Sequence, residues 1–260
     1  MNTVLIKYKT QVLNYLDENS YHIFSLNQLK TNFGDDFTSI FRALKSLIND
    51  GIILTLQNGL YCRPGFSDQN ALAYYLAPKG SIAYWSALHF YGLTDQFPNT
   101  VFVQAPTLIR DKKIMGTQYK FIKVKPSKLI QIDIIGRGNS KFAITSIEKT
   151  MVDCFDEIDY SGGWEILVHA LNVVKLNNQK LIEACDAINN ISAIKRMGYL
   201  IEIMDKNNLK SFVNYALTRV NQRYSLLDPS GNDEGKYLSR WKLRLNVEVS
   251  EILSSSLNMY

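Results

Sequence analysis

The chain is organised around the stretch Gly80-Ser-Ile-Ala-Tyr-Trp-Ser-Ala-Leu-His-Phe-Tyr-Gly-Leu-Thr-Asp-Gln-Phe-Pro98. Its second residue, Ser81, can cap a helix by accepting a backbone N–H, and Gly92 can end the helix in a left-handed conformation. Nearly every residue between them is apolar, and a helix that is apolar on all sides is normally buried. The stretch therefore predicts the central helix of a larger domain, just after a smaller one.

Length and composition limit the class of protein. The 260 residues suffice for one large domain or two modest ones, and 46% hydrophobic with 20% charged residues is typical of a soluble globular protein. We expect no membrane span, because the sequence has no run of about 18 uncharged apolar residues, and no secretory signal. The three cysteines, Cys62, Cys154 and Cys185, are far apart. They favour a reduced, cytoplasmic chain without disulfides.

The positive charge is concentrated in the middle of the chain. Residues 1–66 have a net charge of +1, residues 67–150 of +6 and residues 151–260 of −2. Most of the excess lies between Arg110 and Lys149, and such a patch favours an acidic partner or a phosphate backbone. A solvated lysine-rich surface is the alternative interpretation.

The N-terminal part of the chain has the pattern of a winged helix-turn-helix. Apolar residues at helical spacing predict a first helix over about Val4 to Leu16, and Ser25 with Gln28 forms a capping box that begins a short second helix. A third helix ends at Asp50-Gly51. Two extended runs joined by Asn58-Gly59 then predict a tight hairpin. The apolar stripe of the third helix is formed by Phe37, Ile40, Phe41, Leu44, Leu47 and Ile48.

In this fold the third helix would lie in the DNA major groove, and the hairpin would be the wing on the DNA backbone. Hydroxyl and guanidinium groups can read base edges, whereas lysine mainly contacts phosphate. The candidate DNA-binding residues of the third helix and the hairpin are Thr38, Ser39, Arg42, Lys45, Ser46, Asn49, Gln57, Asn58 and Arg63. Because residues 1–66 have a net charge of only +1, a winged helix that contacts only protein is the alternative.

We expect the domain boundary at the turn-rich segment that begins with Pro64-Gly65. It gives an N-terminal domain over residues 1–66 and a second domain over residues 67–260. The expected fold class is α+β: a winged helix-turn-helix followed by a larger mixed domain with a small β-sheet and a helical C-terminal part. The strands predicted for the second domain are Thr100–Ala105, Tyr119–Val124, Leu129–Ile135 and Phe142–Ile144.

Helices are predicted for most of the second domain after its strands. Thr145 and Glu148 form a capping box that begins a helix through about Phe155. The residues from Trp164 onward are mostly helical, including Arg240 to the C-terminus.

Residue types that carry chemistry are not grouped in the pattern of a catalytic or metal site. His22, His89 and His169 have no cysteine or carboxylate at metal-ligand spacing. Gly136-x-Gly138 lacks the third glycine of a nucleotide-binding loop and does not open a helix. The carboxylates over 153–159 could hold Mg²⁺, but a solvated helix end is the preferred interpretation. We therefore expect no catalytic residues, no metal and no cofactor.

Several segments resemble the AbiEi family of antitoxins. The first two are Gly80 to Asp95 of the stretch quoted above and Ile144-Thr-Ser-Ile-Glu-Lys-Thr-Met-Val-Asp-Cys-Phe-Asp156. Shorter matches are Tyr160-Ser-Gly-Gly163, Leu226-Leu227-Asp228-Pro229, Gly59-Leu60-Tyr61 at the end of the winged helix and, more loosely, Arg240-Trp241 to Asn246-Val247. The resemblance covers almost the whole chain, and the order and spacing of these segments carry it.

The resemblance implies a bacterial antitoxin of a type IV toxin–antitoxin pair, linked to abortive infection and phage defence. In that family the winged helix binds the promoter of its own operon and represses it. The C-terminal domain counters a nucleotidyltransferase-like toxin, AbiEii, generally without the tight complex of type II pairs. Two alternatives stay open: a transcription regulator whose C-terminal domain senses a ligand or oligomerises, and a nuclease with a DNA-recognition arm.

The basic excess of the second domain marks the candidate antitoxicity surface. Alternation along the strand over Tyr119 to Lys125 puts Lys123 and Lys125 on the face of Tyr119 and Phe121. A mixed basic and aromatic face suits an acidic protein surface or the RNA on which a nucleotidyltransferase would act. The candidates are Arg110, Lys112, Lys113, Lys120, Lys123, Lys125 and Lys128.

Overall fold

The structure, a computed structural model, describes residues 2–248 and 250, and its fold is mixed α+β with several small sheets. The chain divides into two compact units. The first contains the residues up to Leu72 together with Gly136–Lys141, and the second contains Ala73–Ile135 and the residues from Phe142 onward. The compact units divide after Leu72, and the loop 136–141 belongs to the first of them. The boundary after residue 66 stays a prediction.

The first unit combines three helices with a three-stranded antiparallel sheet, in the strand order β1-β3-β2. Its elements are α1 (Asn2–Glu18), β1 (Ile23–Ser25), α2 (Leu26–Phe33), α3 (Phe37–Asn49), β2 (Leu54–Gln57) and β3 (Leu60–Cys62), with a 3₁₀ turn at Gly34–Asp36 between α2 and α3. The local signals of the sequence act as predicted. Ser25 and Gln28 form the capping box of α2, and Gly59 closes the hairpin with a φ of 77°, a conformation that favours glycine.

The core of the first unit is formed by one face each of α1 and α3 with residues of the sheet. Val12, Leu16, Phe24, Ile40 and Leu44 are all fully buried in it. Of the predicted apolar stripe of α3, Ile40, Leu44 and Leu47 lie in this core, and Phe37, Phe41 and Ile48 pack against it partly buried. The opposite face of that helix is left to solvent.

The loop 136–141 completes the sheet of the first unit at its β1 edge. The side chain of Asn139 accepts hydrogen bonds from the backbone N–H groups of His22 and Ile23 and donates one to the Ile23 carbonyl at 3.2 Å. An amide side chain has one acceptor and one donor group, like a peptide unit. Asn139 therefore satisfies backbone groups of β1 that another strand would otherwise pair.

The second unit contains a six-stranded mixed sheet in the order β6-β7-β5-β4-β9-β8, a three-stranded sheet in the order β10-β12-β11, and most of the helices. Its strands are β4 (Ser81–Ile82), β5 (Thr100–Ala105), β6 (Lys112–Ile114), β7 (Thr117–Lys123), β8 (Ile132–Ile135), β9 (Phe142–Thr145), β10 (Ser225–Leu226), β11 (Lys236–Leu238) and β12 (Leu243–Leu245). Its helices are α5 (Tyr84–Phe90), α6 (Ile147–Asp156), α7 (Trp164–Val173), α8 (Asn178–Ile188), α9 (Ile191–Ile203) and α10 (Lys210–Thr218). Helix α4 (Gln69–Leu76) spans the division between the units.

The stretch from Gly80 to Pro98 begins with a strand, so the prediction that Ser81 caps a helix is wrong. Ser81 lies in β4 opposite Gln104 of β5, and Ala83 occupies the cap position of the short helix α5. Gly80 is required because a Cβ there would lie 2.7 Å from the carbonyl oxygen of Gln104. The chain at this point is fixed by its sheet partner instead of by a local helix signal.

The most completely buried helix is α6, in which every residue from Glu148 to Phe155 is buried. The predicted cap, Thr145, is instead the last residue of β9, and Ser146 caps α6 by accepting the backbone N–H of Lys149. The prediction of Thr145 as the cap is therefore wrong by one residue. Helix α6, rather than the stretch at 80–98, is the central helix of this unit.

The C-terminal part is also corrected by the structure, because the predicted helix from Arg240 is replaced by β12 and its neighbours. The end of that prediction, residue 249 and residues 251–260, lies outside the described residues. Trp241, just before β12, is fully buried and donates its indole N–H to Glu202 at 2.6 Å. Among the described helices, none is long and apolar enough to cross a membrane.

Candidate functional site

The exposed face of α3 presents a continuous polar stripe. Thr38, Arg42, Lys45 and Asn49 are exposed, and their spacing of four, three and four residues places them along one side of a helix. Ser39 and Ser46 are half-buried beside them. The Lys45 ammonium lies 4.7 Å from the centroid of the Phe41 ring, which leaves its charge close to the helix surface.

The three hairpin residues predicted to bind DNA together with this stripe do not all lie in one place. Gln57 and Asn58 lie at the turn between β2 and β3, with Asn58 exposed. The turn is tied to the start of α2, because Leu26 donates its backbone N–H to Gly59 at 2.8 Å. Arg63 follows the far end of β3 and forms an ion pair of 2.6 Å with Asp17 of α1. The structure thus brings Gln57 and Asn58 together and separates Arg63 from them.

The acidic residues of the first unit are partly neutralised. Asp17 is paired with Arg63, and Asp50, after the end of α3, forms an ion pair of 2.6 Å with Lys9. Each pair neutralises a carboxylate whose negative charge would oppose binding to phosphate.

The basic residues proposed for antitoxicity fall into two groups in the second unit. Arg110, Lys113, Lys123 and Lys125 are exposed around β6 and the end of β7. The others are engaged: Lys128 forms an ion pair of 2.9 Å with Asp156, Lys120 lies 5.0 Å from the Tyr160 ring centroid, and Lys112 is half-buried. The surface available to a partner is therefore the first group.

The aromatic part of the expected basic and aromatic face is not exposed. Tyr119 is fully buried and Phe121 is 7% exposed, although the alternation along β7 is as predicted, with Lys120 on the opposite face. Both rings therefore lie inside the fold, on the face of β7 opposite Lys120. The exposed cations of this surface therefore act without neighbouring exposed tyrosine or phenylalanine of β7.

A buried ion pair inside α6 corrects the interpretation of Asp153 as part of a solvated helix end. The Lys149 ammonium is paired with the Asp153 carboxylate one turn later, and their side chains are 0% and 1% exposed. Burial raises the pKa of Asp153 to about 6, and the charge of Lys149 opposes that rise. Desolvation of the charged carboxylate thus outweighs the attraction of its partner. Asp156 is bound by Lys128 and Asn190 instead.

Within the residues that the structure describes, no three His, Cys, Asp or Glu side chains come together in a way that could hold a metal ion. The three cysteines are buried and free. Burial raises the pKa of Cys154, as it also does for Cys62, so neither thiol is activated.

One surface was not predicted from the sequence, namely the outer face of the β10-β12-β11 sheet. It exposes Tyr224 and Tyr237 beside Lys242 and Arg244. The available signal was the alternation of leucine with basic residues from Leu243 to Leu245, which has the period of a strand rather than a helix.

Comparison with known proteins finds similarity in the fold of this chain but not in its sequence. No protein-family model matches the sequence, and no curated protein matches it significantly. The structure is similar to the crystal structure of the RV2827C protein from Mycobacterium tuberculosis, with a TM-score of 0.64 and 14% sequence identity, over 95% of this chain and 94% of that chain. The likeness thus extends along nearly the whole length of both chains.

Proposed function

We propose that this protein is the antitoxin of a type IV toxin–antitoxin pair, which represses its own operon through the first unit and counters a nucleotidyltransferase-like toxin through the second. The observation that carries the proposal is the polar stripe of Thr38, Arg42, Lys45 and Asn49, which stands opposite the apolar face of α3. An exposed helix face with hydroxyl, amide and guanidinium groups has the donors and acceptors that base edges require.

The order of elements in the first unit supports a winged helix-turn-helix. Helix α2, the turn at Gly34 and helix α3 follow one another, and the β2–β3 hairpin comes after them. In such domains the third helix enters the major groove, and here Asn58 would lie at the tip of the wing. Operator DNA is the partner proposed for this face.

The antitoxin role rests on the resemblance of the chain to the AbiEi family, and the exposed cations give it a candidate surface. Arg110, Lys113, Lys123 and Lys125 form a positive region in the second unit. An acidic surface of the toxin, or the RNA on which it acts, is the partner that charge complementarity favours.

DNA binding is tested by gel shift with the promoter of the operon and with an unrelated duplex. Arg42→Ala should weaken promoter binding by about 1–3 kcal/mol if the guanidinium reads a guanine edge. Lys45→Ala should weaken both duplexes alike and flatten the salt dependence. Lys175→Ala, which removes an exposed cation from the second unit, is the control. Unchanged affinity in both α3 variants would reject the assignment.

Antitoxicity is tested by coexpression with the neighbouring nucleotidyltransferase gene, scored as growth. We expect the triple variant of Lys113, Lys123 and Lys125 to Glu to lose protection while it keeps promoter binding. Lys120 is left unchanged in this variant because it packs on Tyr160. The matched control changes Lys175, Lys180 and Lys210, three exposed lysines of the same unit, to Glu. Full protection by the folded triple variant would place the neutralising surface elsewhere.

A second candidate function, a regulator whose second unit senses a ligand, is favoured by one observation. A cleft of about 300 Å³ near α9 and α10 is lined by charged residues that include Glu202, Lys206 and Arg240. Under this alternative, a small charged metabolite would change the affinity of the protein for the promoter. Cells that express the neighbouring gene would grow equally well with and without this protein.

A further inference from the structure

The three-stranded sheet near the C-terminus has two chemically different faces. Leu238 lies opposite Leu243 in the β11–β12 register, and both pack against the core of the second unit. Tyr237 lies opposite Arg244 in the same register, and alternation directs this pair to the other face. The inner face is apolar, and the outer face is aromatic and basic.

The outer face arranges two tyrosine rings with two cations. The rings of Tyr224 and Tyr237 meet edge to face with centroids 4.8 Å apart. The Lys242 ammonium lies 5.2 Å from the Tyr224 centroid, and the Arg244 guanidinium lies 5.1 Å from the Tyr237 centroid. Tyr237 remains 61% exposed and Tyr224 40% exposed. The rings are thus fixed by neighbours and still open to a partner.

Two buried cations of α9 hold this sheet in place from below. Lys195, which is 1% exposed, donates to the carbonyl oxygens of Arg223 at 2.7 Å and Lys242 at 3.2 Å. Arg196 donates from Nε to the Leu226 carbonyl at 2.9 Å. These bonds fix the backbone on both sides of Tyr224. The outer face is therefore ordered before any partner binds, and such pre-organisation lowers the entropy cost of binding.

The charge of the face suits an anionic partner. Arg223, the neighbour of Tyr224 in the chain, is exposed, and no ion pair forms at Arg223 or Lys242 with any residue in the described part of the chain. Arg244 is the exception, because it is paired with Asp233. Lys236 is exposed as well, but it lies opposite Leu245 in the register, so alternation directs it away from the tyrosine face. Two cations, Arg223 and Lys242, are therefore available to phosphate groups near two exposed rings.

We propose that this outer face binds a single-stranded nucleic acid, with bases stacked on Tyr237 and Tyr224 and phosphates on Lys242 and Arg223. Exposed rings beside cations are the combination that proteins use for unpaired strands, since every base has an aromatic face. A duplex keeps its bases stacked on one another, and an acidic protein segment has no need of exposed rings. This binding is separate from the promoter recognition proposed for α3.

The test uses the full chain and fluorescein-labelled 12-mers of oligo(U) RNA and oligo(dT), followed by fluorescence anisotropy. Tyr237→Ala should weaken binding about 5-fold to 100-fold, the loss that removal of one stacked base gives, whereas Tyr237→Phe should bind like the wild type because stacking does not need the hydroxyl. Lys242→Ala should lower the slope of log affinity against log salt by about 0.7. The RNA and DNA arms tell which strand is preferred.

The controls separate this face from the rest of the protein. Phe97→Ala removes a 78% exposed ring of the same unit, and Lys175→Ala removes an exposed cation; both should bind like the wild type. The proposal is overturned if the full chain does not bind the 12-mers, if Tyr237→Ala binds them normally, or if Tyr237→Phe loses as much affinity as Tyr237→Ala. Circular dichroism verifies that each variant is folded.

Discussion

Substitution of Gly198 by alanine tests how tightly the C-terminal sheet is packed on α9. A Cβ at this position would lie 2.4 Å from Cη2 and 2.5 Å from Cζ3 of Trp241, and 2.9 Å from Cβ of Ala216. The indole cannot withdraw freely, because its ring is fully buried and its N–H is bound to Glu202 at 2.6 Å. The added methyl group must therefore displace α9, α10 or the tryptophan.

Two effects of opposite sign determine how much Gly198→Ala changes the free energy of unfolding. Alanine is better than glycine inside a helix by about 1 kcal/mol, which would stabilise the variant. Overpacking of a filled core costs about 1–3 kcal/mol and occasionally more, and three contacts below 3 Å place Gly198→Ala at the upper end or beyond. We expect a net loss of about 2 kcal/mol, which lowers the melting temperature of a domain of 150–250 residues by about 4–8 °C.

The assay is a double-mutant cycle in which unfolding is followed by circular dichroism. Trp241→Phe removes the far end of the indole, where the clash occurs, so Gly198→Ala should cost at least about 1 kcal/mol less in that background. Additive effects of the two changes, or a Gly198→Ala variant as stable as the wild type, would refute the packing argument.

Two further predictions concern stability. Since burial raises the pKa of Asp153 to about 6, the folded state keeps that proton between about pH 4 and pH 6 while the unfolded state loses it. The stability that protonated Asp153 contributes should therefore fall by up to about 3 kcal/mol as the pH rises through this window. It is measured by urea unfolding as the difference between the wild type and Asp153→Asn at each pH, and a difference that does not vary with pH would count against it. Asn139→Ala should destabilise the first unit by about 1–3 kcal/mol, because it removes the partners of the Ile23 backbone. Hydrogen exchange at the Ile23 amide should accelerate, with the exposed Ser140→Ala as control, and equal rates in both variants would contradict the capping role.

Sequence patterns predicted the elements whose cause is local. The capping box of Ser25 and Gln28 and the turn at Asn58-Gly59 depend on residues within four positions, and both occur as expected. Ser81 has an equally good capping pattern, but its structure is set by Gln104, 23 residues away. A strand pairing of that range cannot be read from local spacing, and it outweighs helix propensity.

The same distinction applies to the candidate sites. The exposed stripe of α3 follows from helical periodicity alone, so its residues could be predicted. The partner of Arg63 is 46 residues away, and that of Lys128 is 28 residues away. A count of charges along the chain does not reveal such pairings. It therefore treats Arg63 and Lys128 as available surface cations, although each is already paired with a carboxylate. The tyrosine face was missed for a similar reason, since β12 forms only with two strands from earlier in the chain.

The cap that Asn139 places on β1 has a consequence for any attempt to cut this protein into pieces. A fragment that stops at Leu72 retains the three helices and three strands of the first unit but loses the loop 136–141. The N–H and C=O groups of Ile23 would then form a bare sheet edge, which other chains can pair with. Such a fragment is expected to self-associate and to mimic a dimer. Its oligomeric state and DNA affinity would then be consequences of the truncation as much as properties of the intact protein.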